Sequence, residues 1–182
     1  ACPTPNLVLM GGCALNSACN GKLVERTPFE RLHVYSAPGD DGNALGAAFL
    51  AWQADHPGQR PPRLSTAYLG SRLDGSALDR LEARGPFEVR RVEQPAEAVA
   101  ELLAQGRIVA VAHGRAEFGP RALGHRSILA DPRRADIQSV LNAQVKFREG
   151  FRPFAPAVLH ADGPDWFEDY QFSPYMERAL RW

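Results

Sequence analysis

The densest gathering of groups able to handle an anion lies at residues 117–133, EFGPRALGHRSILADPR. Arg121, Arg126 and Arg133 carry permanently protonated guanidinium groups that fork onto phosphate or carboxylate oxygens. Gly119 and Gly124 let the backbone fold so that neighbouring side chains converge. Ser127 adds a neutral donor, and Asp131 a carboxylate able to orient an arginine or touch a metal. Downstream, Asn142, Lys146, Arg148 and Arg152 extend the donor set, and Phe151-Arg152-Pro153-Phe154 makes a stiff, aromatic-lined bend. Two readings stand side by side. The cations line an anion pocket, or they form structural ion pairs with Glu117, Asp131, Asp136 and Glu149; composition favours the pocket modestly.

A second candidate is the glycine pair Gly11-Gly12 between an apolar run, NLVLM, and a helix-forming stretch. Glycine there lets a ligand approach the backbone, and a helix start offers free N–H groups to a phosphate. Asn16 is placed to face the same ligand from the first helical turn. The pair makes a tight turn equally well. Asp40 and Asp41 precede Gly42 at another helix start, where an aspartate caps free N–H groups; on the residues alone the cap is preferred to a metal ligand. His113 and His125 lack metal-ligand spacing and read as structural. No nucleophile elbow, phosphate-cradling Walker loop or HExxH occurs. Cys2, Cys13 and Cys19 fit neither a disulfide framework nor a zinc site, and read as free thiols in a reducing cytoplasm.

These groups need a scaffold. The 182 residues are 45% hydrophobic and 23% charged, ordinary for a globular chain without net charge. No apolar run approaches the ~20 residues that cross a bilayer. Residues 107–152 nevertheless hold nine basic against four acidic residues, so positive charge concentrates around the arginine motif. Strand–turn–helix units are expected at 6–10 with ALNSACNGKL, and at Leu32–Ser36 with NALGAAFLAWQADH, the latter a well-packed buried helix. HPGQRPPR is a linker and marks a domain boundary. Beyond it come a helix capped by Asp74, a strand FEVRRVE, a helix closing at Gly106, a buried strand RIVAVAHG, a helix RADIQSVLNAQVKFRE, and a proline-punctuated FRPFAPAVLH ending in a strand. The alternation predicts an α/β fold, or α+β for the second part.

Four blocks in order, GGCALNSACNGKL, VYSAPGDDGNALGAA, EFGPRALGHRSILADPR and NAQVKFREGFRPFAPAVL, resemble the NodU/CmcH family of O-carbamoyltransferases. The resemblance covers about the whole chain, most firmly residues 6–49 and 107–160. It implies an enzyme that forms carbamoyl-adenylate from carbamoyl phosphate and ATP, then passes the carbamoyl group to a hydroxyl of an antibiotic or a nodulation-factor sugar. It further implies that residues 1–58 are the C-terminal piece of an actin/Hsp70-type ATPase-like domain, and 59–182 an incomplete YrdC-like domain. Carried over, Gly11, Gly12 and Asn16 hold the nucleotide–phosphate part, and Asp40 becomes a ligand of a divalent metal, usually iron. Arg121, Arg126, Ser127, Lys146, Arg148 and Arg152 line the carbamoyl phosphate and ATP pocket.

The departures shape the expectation. The family's HxxxH metal ligands lie upstream of anything present, and the pattern breaks after Met176, before an NTSFN-like block. The chain, which does not begin with Met, therefore reads as the middle of a cytoplasmic enzyme. By itself it is expected not to complete transfer without the remaining N-terminal portion. Two other functions stay open: a threonylcarbamoyl-type tRNA-modifying enzyme, and a non-catalytic anion- or RNA-binding remnant.

Overall fold

The computed structural model describes residues 4–86 and 88–182. They form mixed α/β structure with small sheets, in two compact units. The first holds the described residues through Gly70, with Glu117–Leu123 and Val158–Trp182; the second holds Ser71–Ala116 and Gly124–Ala157.

In the first unit, β1 (Asn6–Val8) runs parallel to β2 (Arg31–His33), with Leu7 opposite Leu32. A 3-10 turn, Gly12–Leu15, leads into α1 (Ser17–Arg26). Parallel neighbours need such a crossover, and α1 provides it. The core is small: Ala14, Leu32 and Val34 are buried, and Leu7, Leu9, Leu23 and Val24 pack around them. Buried Asn20 ties a distant segment to this core, donating through Nδ2 to the carbonyls of Ala14 (2.7 Å) and Glu177 (2.9 Å).

Helix α2 (Gly42–Asp55) corrects one expectation. It forms where predicted, with Asp41 accepting from the Gly42 amide at 3.1 Å, yet only Gly42 is buried and Leu50 is 71% exposed. Alanine and leucine favour the helix intrinsically, but burial needs a neighbour. A helix apolar on every face ordinarily lies inside a protein.

In the second unit, α3 (Gly75–Arg84) begins at Asp74, whose Oδ1 accepts from the Ala77 amide at 3.0 Å. Helix α4 (Pro95–Ala104) starts on proline, which lacks the N–H that a first turn leaves idle, and closes through Gly106 at φ 77°. Strand β3 (Val109–Ala112) pairs antiparallel with β4 (Arg126–Leu129), Val109 opposite Leu129 and Ala112 opposite Arg126. β3 was expected to be buried; it alternates half-buried and exposed residues, as a two-stranded sheet requires. β4 was not foreseen, because RSIL lies inside a stretch that reads as a turn.

Two expected strands do not form. Residues 88–93 of FEVRRVE are irregular and exposed, while Phe87 lies outside the described residues. Residues 151–159 are likewise irregular and exposed, and His160 opens a 3-10 turn, His160–Asp162. A strand exists by pairing; Arg90 and Arg91 engage Glu88 and Glu82, and Pro153 and Pro156 have no N–H to give a ladder. The long helix predicted at 134–149 is a short α5 (Ile137–Val140) that widens into a π-turn, Leu141–Lys146, and ends at Phe147 with φ 48°. A final short helix, α6, spans Gly163–Trp166. Among the described residues no helix is long and apolar enough to cross a membrane.

Candidate functional site

The first unit holds Gly11, Gly12, Asn16, Asp40 and Arg121. Gly11 follows β1 at φ 92°, a backbone that favours glycine, and its amide donates to the Pro38 carbonyl at 2.6 Å. The turn after β1 is thereby fastened to the chain after β2. Gly12 opens the 3-10 turn. Asn16 stands just before α1 and not within its first turn, as the sequence suggested: its Oδ1 caps the helix through the Cys19 amide at 3.0 Å. Its position beside the glycine turn is kept, but its oxygen is occupied.

Arg121 reaches this corner from far along the chain. Its Nη2 donates to the Leu15 carbonyl at 3.0 Å, one residue before the Asn16 cap. The segment carrying it is tightly fastened. The Phe118 amide donates to the Ala67 carbonyl (2.7 Å), and the Leu123 amide to Glu117 Oε1 (2.6 Å). Tyr68 Oη donates to the Leu123 carbonyl (2.9 Å). Arg121 also borders a hollow of about 10 Å³ lined by Leu15, Tyr35, Ser36, Tyr175 and Glu177 among others. That is room for about one water-sized group. Sequence reasoning missed Ser36, Tyr175 and Glu177, because only folding brings their segments together.

Asp40 is exposed, and its backbone carbonyl accepts from the Asn43 amide at 3.1 Å. Among the described residues no three His, Cys, Asp or Glu side chains converge. One carboxylate does not hold a divalent ion, so these residues by themselves do not fit the metal that the resemblance implied.

The second unit holds Arg126, Ser127, Lys146, Arg148 and Arg152. Arg126 spreads its guanidinium over backbone carbonyls, with Nη1 on His113 (2.8 Å) and His125 (2.7 Å) and Nη2 on Ser71 (3.2 Å) and Gly114 (3.3 Å). Ser127 Oγ accepts from the Gly124 amide at 2.9 Å. Arg148 is anchored: Nε donates to Asn142 Oδ1 (2.7 Å), Nη2 to the Pro153 carbonyl (3.3 Å), and its guanidinium lies 4.5 Å from the Phe154 ring centre. Arg152 Nη1 stands 3.9 Å from Glu149 on the surface. Exposed Lys146 has no side-chain partner among the described residues. Expected together as ligand-lining cations, Arg126 and Arg148 hold backbone, Arg152 lies beside Glu149 on the surface, and Lys146 faces solvent.

The ion-pair reading holds for the remaining arginines. Arg134 pairs with Asp136 at 2.8 Å and also donates to the Gly106 carbonyl. Asp131 takes Arg133 bidentately, with Nη2 at 2.6 Å and Nε at 2.9 Å. The His113 and His125 ring centres lie 4.0 Å apart with the planes tilted by 47°, and His125 Nδ1 lies 2.7 Å from the Arg115 carbonyl, a structural arrangement.

The Arg133 hydrogen bonds hold the Asp131 carboxyl down from 3.8 to about 2. A carboxyl with a depressed folded value contributes stability that is complete above its unfolded value and fades as pH falls through the folded one. The Asp131 contribution should therefore persist at pH 4 and disappear toward pH 2. A carbon-detected NMR titration should place the Asp131 midpoint near 2, and Arg133→Ala should return it toward 3.8.

Comparison with known proteins follows the same two stretches. The carbamoyltransferase N-terminus family matches residues 2–49, and the carbamoyltransferase C-terminus family matches residues 100–182. Nodulation protein NolNO of Sinorhizobium fredii (strain NBRC 101917 / NGR234) is 45% identical over 89% of this chain and 24% of its own length. Nodulation protein U of Rhizobium tropici is 41% identical over 94% of the chain and 28% of its own. An uncharacterized protein of Synechocystis is 42% identical over 94% and 29%. The chain thus spans about a quarter to a third of the length of these curated relatives.

Proposed function

Because the chain belongs to the carbamoyltransferase family, we propose that it is the portion of an ATP-dependent O-carbamoyltransferase that gathers carbamoyl phosphate and ATP. The enzyme forms carbamoyl-adenylate and passes the carbamoyl group to a hydroxyl of a sugar, the kind of acceptor a nodulation signal presents. On the same reading, the segment around β1 and β2 is the end of an actin/Hsp70-type domain, and the later part belongs to a YrdC-like one.

One observation carries this reading: Arg121 crosses the sequence to the Leu15 carbonyl, beside the Gly11 turn and the Asn16 cap. A fixed cation and a glycine turn at one helix start suit a phosphate. Bringing carbamoyl phosphate to ATP gathers several negative charges, and cations fixed in advance offset their repulsion as phosphate and pyrophosphate leave. Arg121 supplies such a charge in the first unit. Within the second unit Arg126 and Arg148 act indirectly, holding backbone carbonyls and Asn142 in place, while Lys146 offers an exposed charge. No step is drawn through a metal, for which this chain offers Asp40 alone.

Calorimetric titration of carbamoyl phosphate and of ATP into the chain tests the proposal. Saturable binding is expected, weakened roughly 10- to 100-fold by Arg121→Ala, the loss of a charge-assisted contact. Absence of saturable binding to the unaltered chain, or identical affinity for the variant, overturns it.

A further inference from the structure

The hollow beside Arg121 belongs wholly to the first unit, and its walls are pinned together. Ala14 and Glu177 both border it, and Asn20 Nδ2 holds their two backbone carbonyls at 2.7 and 2.9 Å. Three of the lining side chains have polar capacity to spare. Ser36 is 2% exposed, and its Oγ has no hydrogen-bond partner among the described residues. A buried hydroxyl left unpaired is costly, so it calls for a partner. Glu177 is 8% exposed. One of its carboxylate oxygens accepts from the Tyr175 amide at 2.9 Å, and the other stands 4.0 Å from Arg178 Nε, beyond hydrogen-bond reach. The Arg178 fork is turned elsewhere, donating to Gln171 Oε1 and the Leu32 carbonyl. Arg121 places Nη2 on the Leu15 carbonyl and, among the described residues, forms no direct ion pair with Glu177.

Size and charge together select the occupant. About 10 Å³ admits one water-sized group and no organic fragment. A small cation there would meet the Arg121 guanidinium, and a small anion the Glu177 carboxylate. Water is neutral, both donates and accepts, and when buried ordinarily makes about three hydrogen bonds. We propose that the hollow holds one ordered water, which accepts from Arg121 and donates to Ser36 Oγ and to the Glu177 carboxylate. The consequence concerns the charge on Arg121. In direct contact Glu177 would neutralise the guanidinium as a paired ion. Through a water it orients the fork and leaves the charge open to an incoming anion. Ser36 and Glu177 are thus positioning residues that act on Arg121 through the water and touch no substrate. The use made of that charge rests on the phosphate-binding reading above, while the water itself does not.

NMR and a pyrophosphate titration of the whole 182-residue chain test the two parts separately. Water–amide cross-relaxation should reveal a long-lived water at the Tyr175 and Glu177 amides. Ser36→Val, whose branched side chain fills the space, should remove it and move the Arg121 Nε–Hε signal. Ser36→Ala keeps the space but deletes one partner, so the Arg121 signal should shift and exchange faster. Affinity for inorganic pyrophosphate should fall about three- to tenfold in Ser36→Ala. In an Arg121→Ala background the same change should have no effect, because it acts through Arg121. Each variant is first checked by circular dichroism. Absence of a long-lived water in the parent overturns the inference. So does a Ser36→Ala loss of equal size with and without Arg121, which marks the serine as merely structural. An affinity that follows the potassium or ammonium concentration places a cation in the hollow and overturns it too. If the parent binds no pyrophosphate, the phosphate reading fails, and the long-lived water with its Ser36-dependent Arg121 signal still decides the inference.

Discussion

Replacing Gly119 by alanine should lower the melting temperature of the chain by roughly 6–15 °C, corresponding to about 3–5 kcal/mol. Two causes add. Gly119 sits at φ 119°, a backbone that side-chain-bearing residues rarely adopt, and a Cβ there would stand 2.1 Å from the Ser36 carbonyl oxygen. The oxygen belongs to backbone after β2 and cannot swing aside, so the Gly119 segment must lift away. Gly124→Ala separates the causes: Gly124 also has a positive φ, 104°, but open space around its missing Cβ. It should cost only the backbone strain, about 1–3 kcal/mol. Thermal unfolding of both variants decides the point; equal losses would show that close approach to Ser36 contributes nothing. Because Arg121 rides on this segment, Gly119→Ala should also abolish measurable carbamoyl phosphate binding at temperatures where the chain stays folded.

The second large effect is expected at Asn142. It is 1% exposed, and its side chain serves three partners. Nδ2 donates to the carbonyls of Gly150 (3.2 Å) and Arg152 (3.0 Å), while Oδ1 accepts from Arg148 Nε (2.7 Å). The Asn142 backbone carbonyl also takes the amide of Arg148 at 3.0 Å, which shapes the turn at Phe147 with φ 48°. Asn142→Ala should cost about 2–4 kcal/mol, through a lost charge-assisted bond, two lost amide bonds and a small cavity. The two carbonyls retain Gln138 Nε2 at 3.2 and 3.3 Å, which keeps the figure from rising further. Hydrogen exchange should accelerate across 146–152 and leave α1 unchanged. Asn142→Asp keeps the acceptor for Arg148 but turns a carboxylate toward two carbonyls, so it should fall between the parent and the alanine variant. Uniform exchange across the chain in Asn142→Ala would show that the residue does not organise this loop.

Much of the local structure was legible. Asp74 announced its helix as an aspartate before a periodic apolar stretch, and Gly106 announced the end of the next; both signals act within a few residues. The glycine turn after NLVLM was legible for the same reason. The strands at 88–93 and 151–160 were misread because alternation describes what a strand would bury, while pairing needs an edge that the sequence does not name. Helix α2 was misread in the same manner: its apolar residues say that it seeks cover, and its exposed Leu50 shows that nothing described supplies it.

For the site, the sequence by itself determined which charges are available. Guanidinium groups keep their protons in any fold, and the four ordered blocks carry the family wherever their side chains point. Only tertiary structure decided how each charge is used. Arg126 and Arg148 bond to backbone and to Asn142 because folding brings carbonyl and amide oxygens within reach of their forks. Arg121 is drawn to Leu15 by a loop whose fit depends on the absent Cβ of Gly119. Ser36, Tyr175 and Glu177, unremarkable as letters, come to line one small hollow because folding brings their distant segments together. Residue types set what an atom can donate or accept, and packing alone sets what it faces.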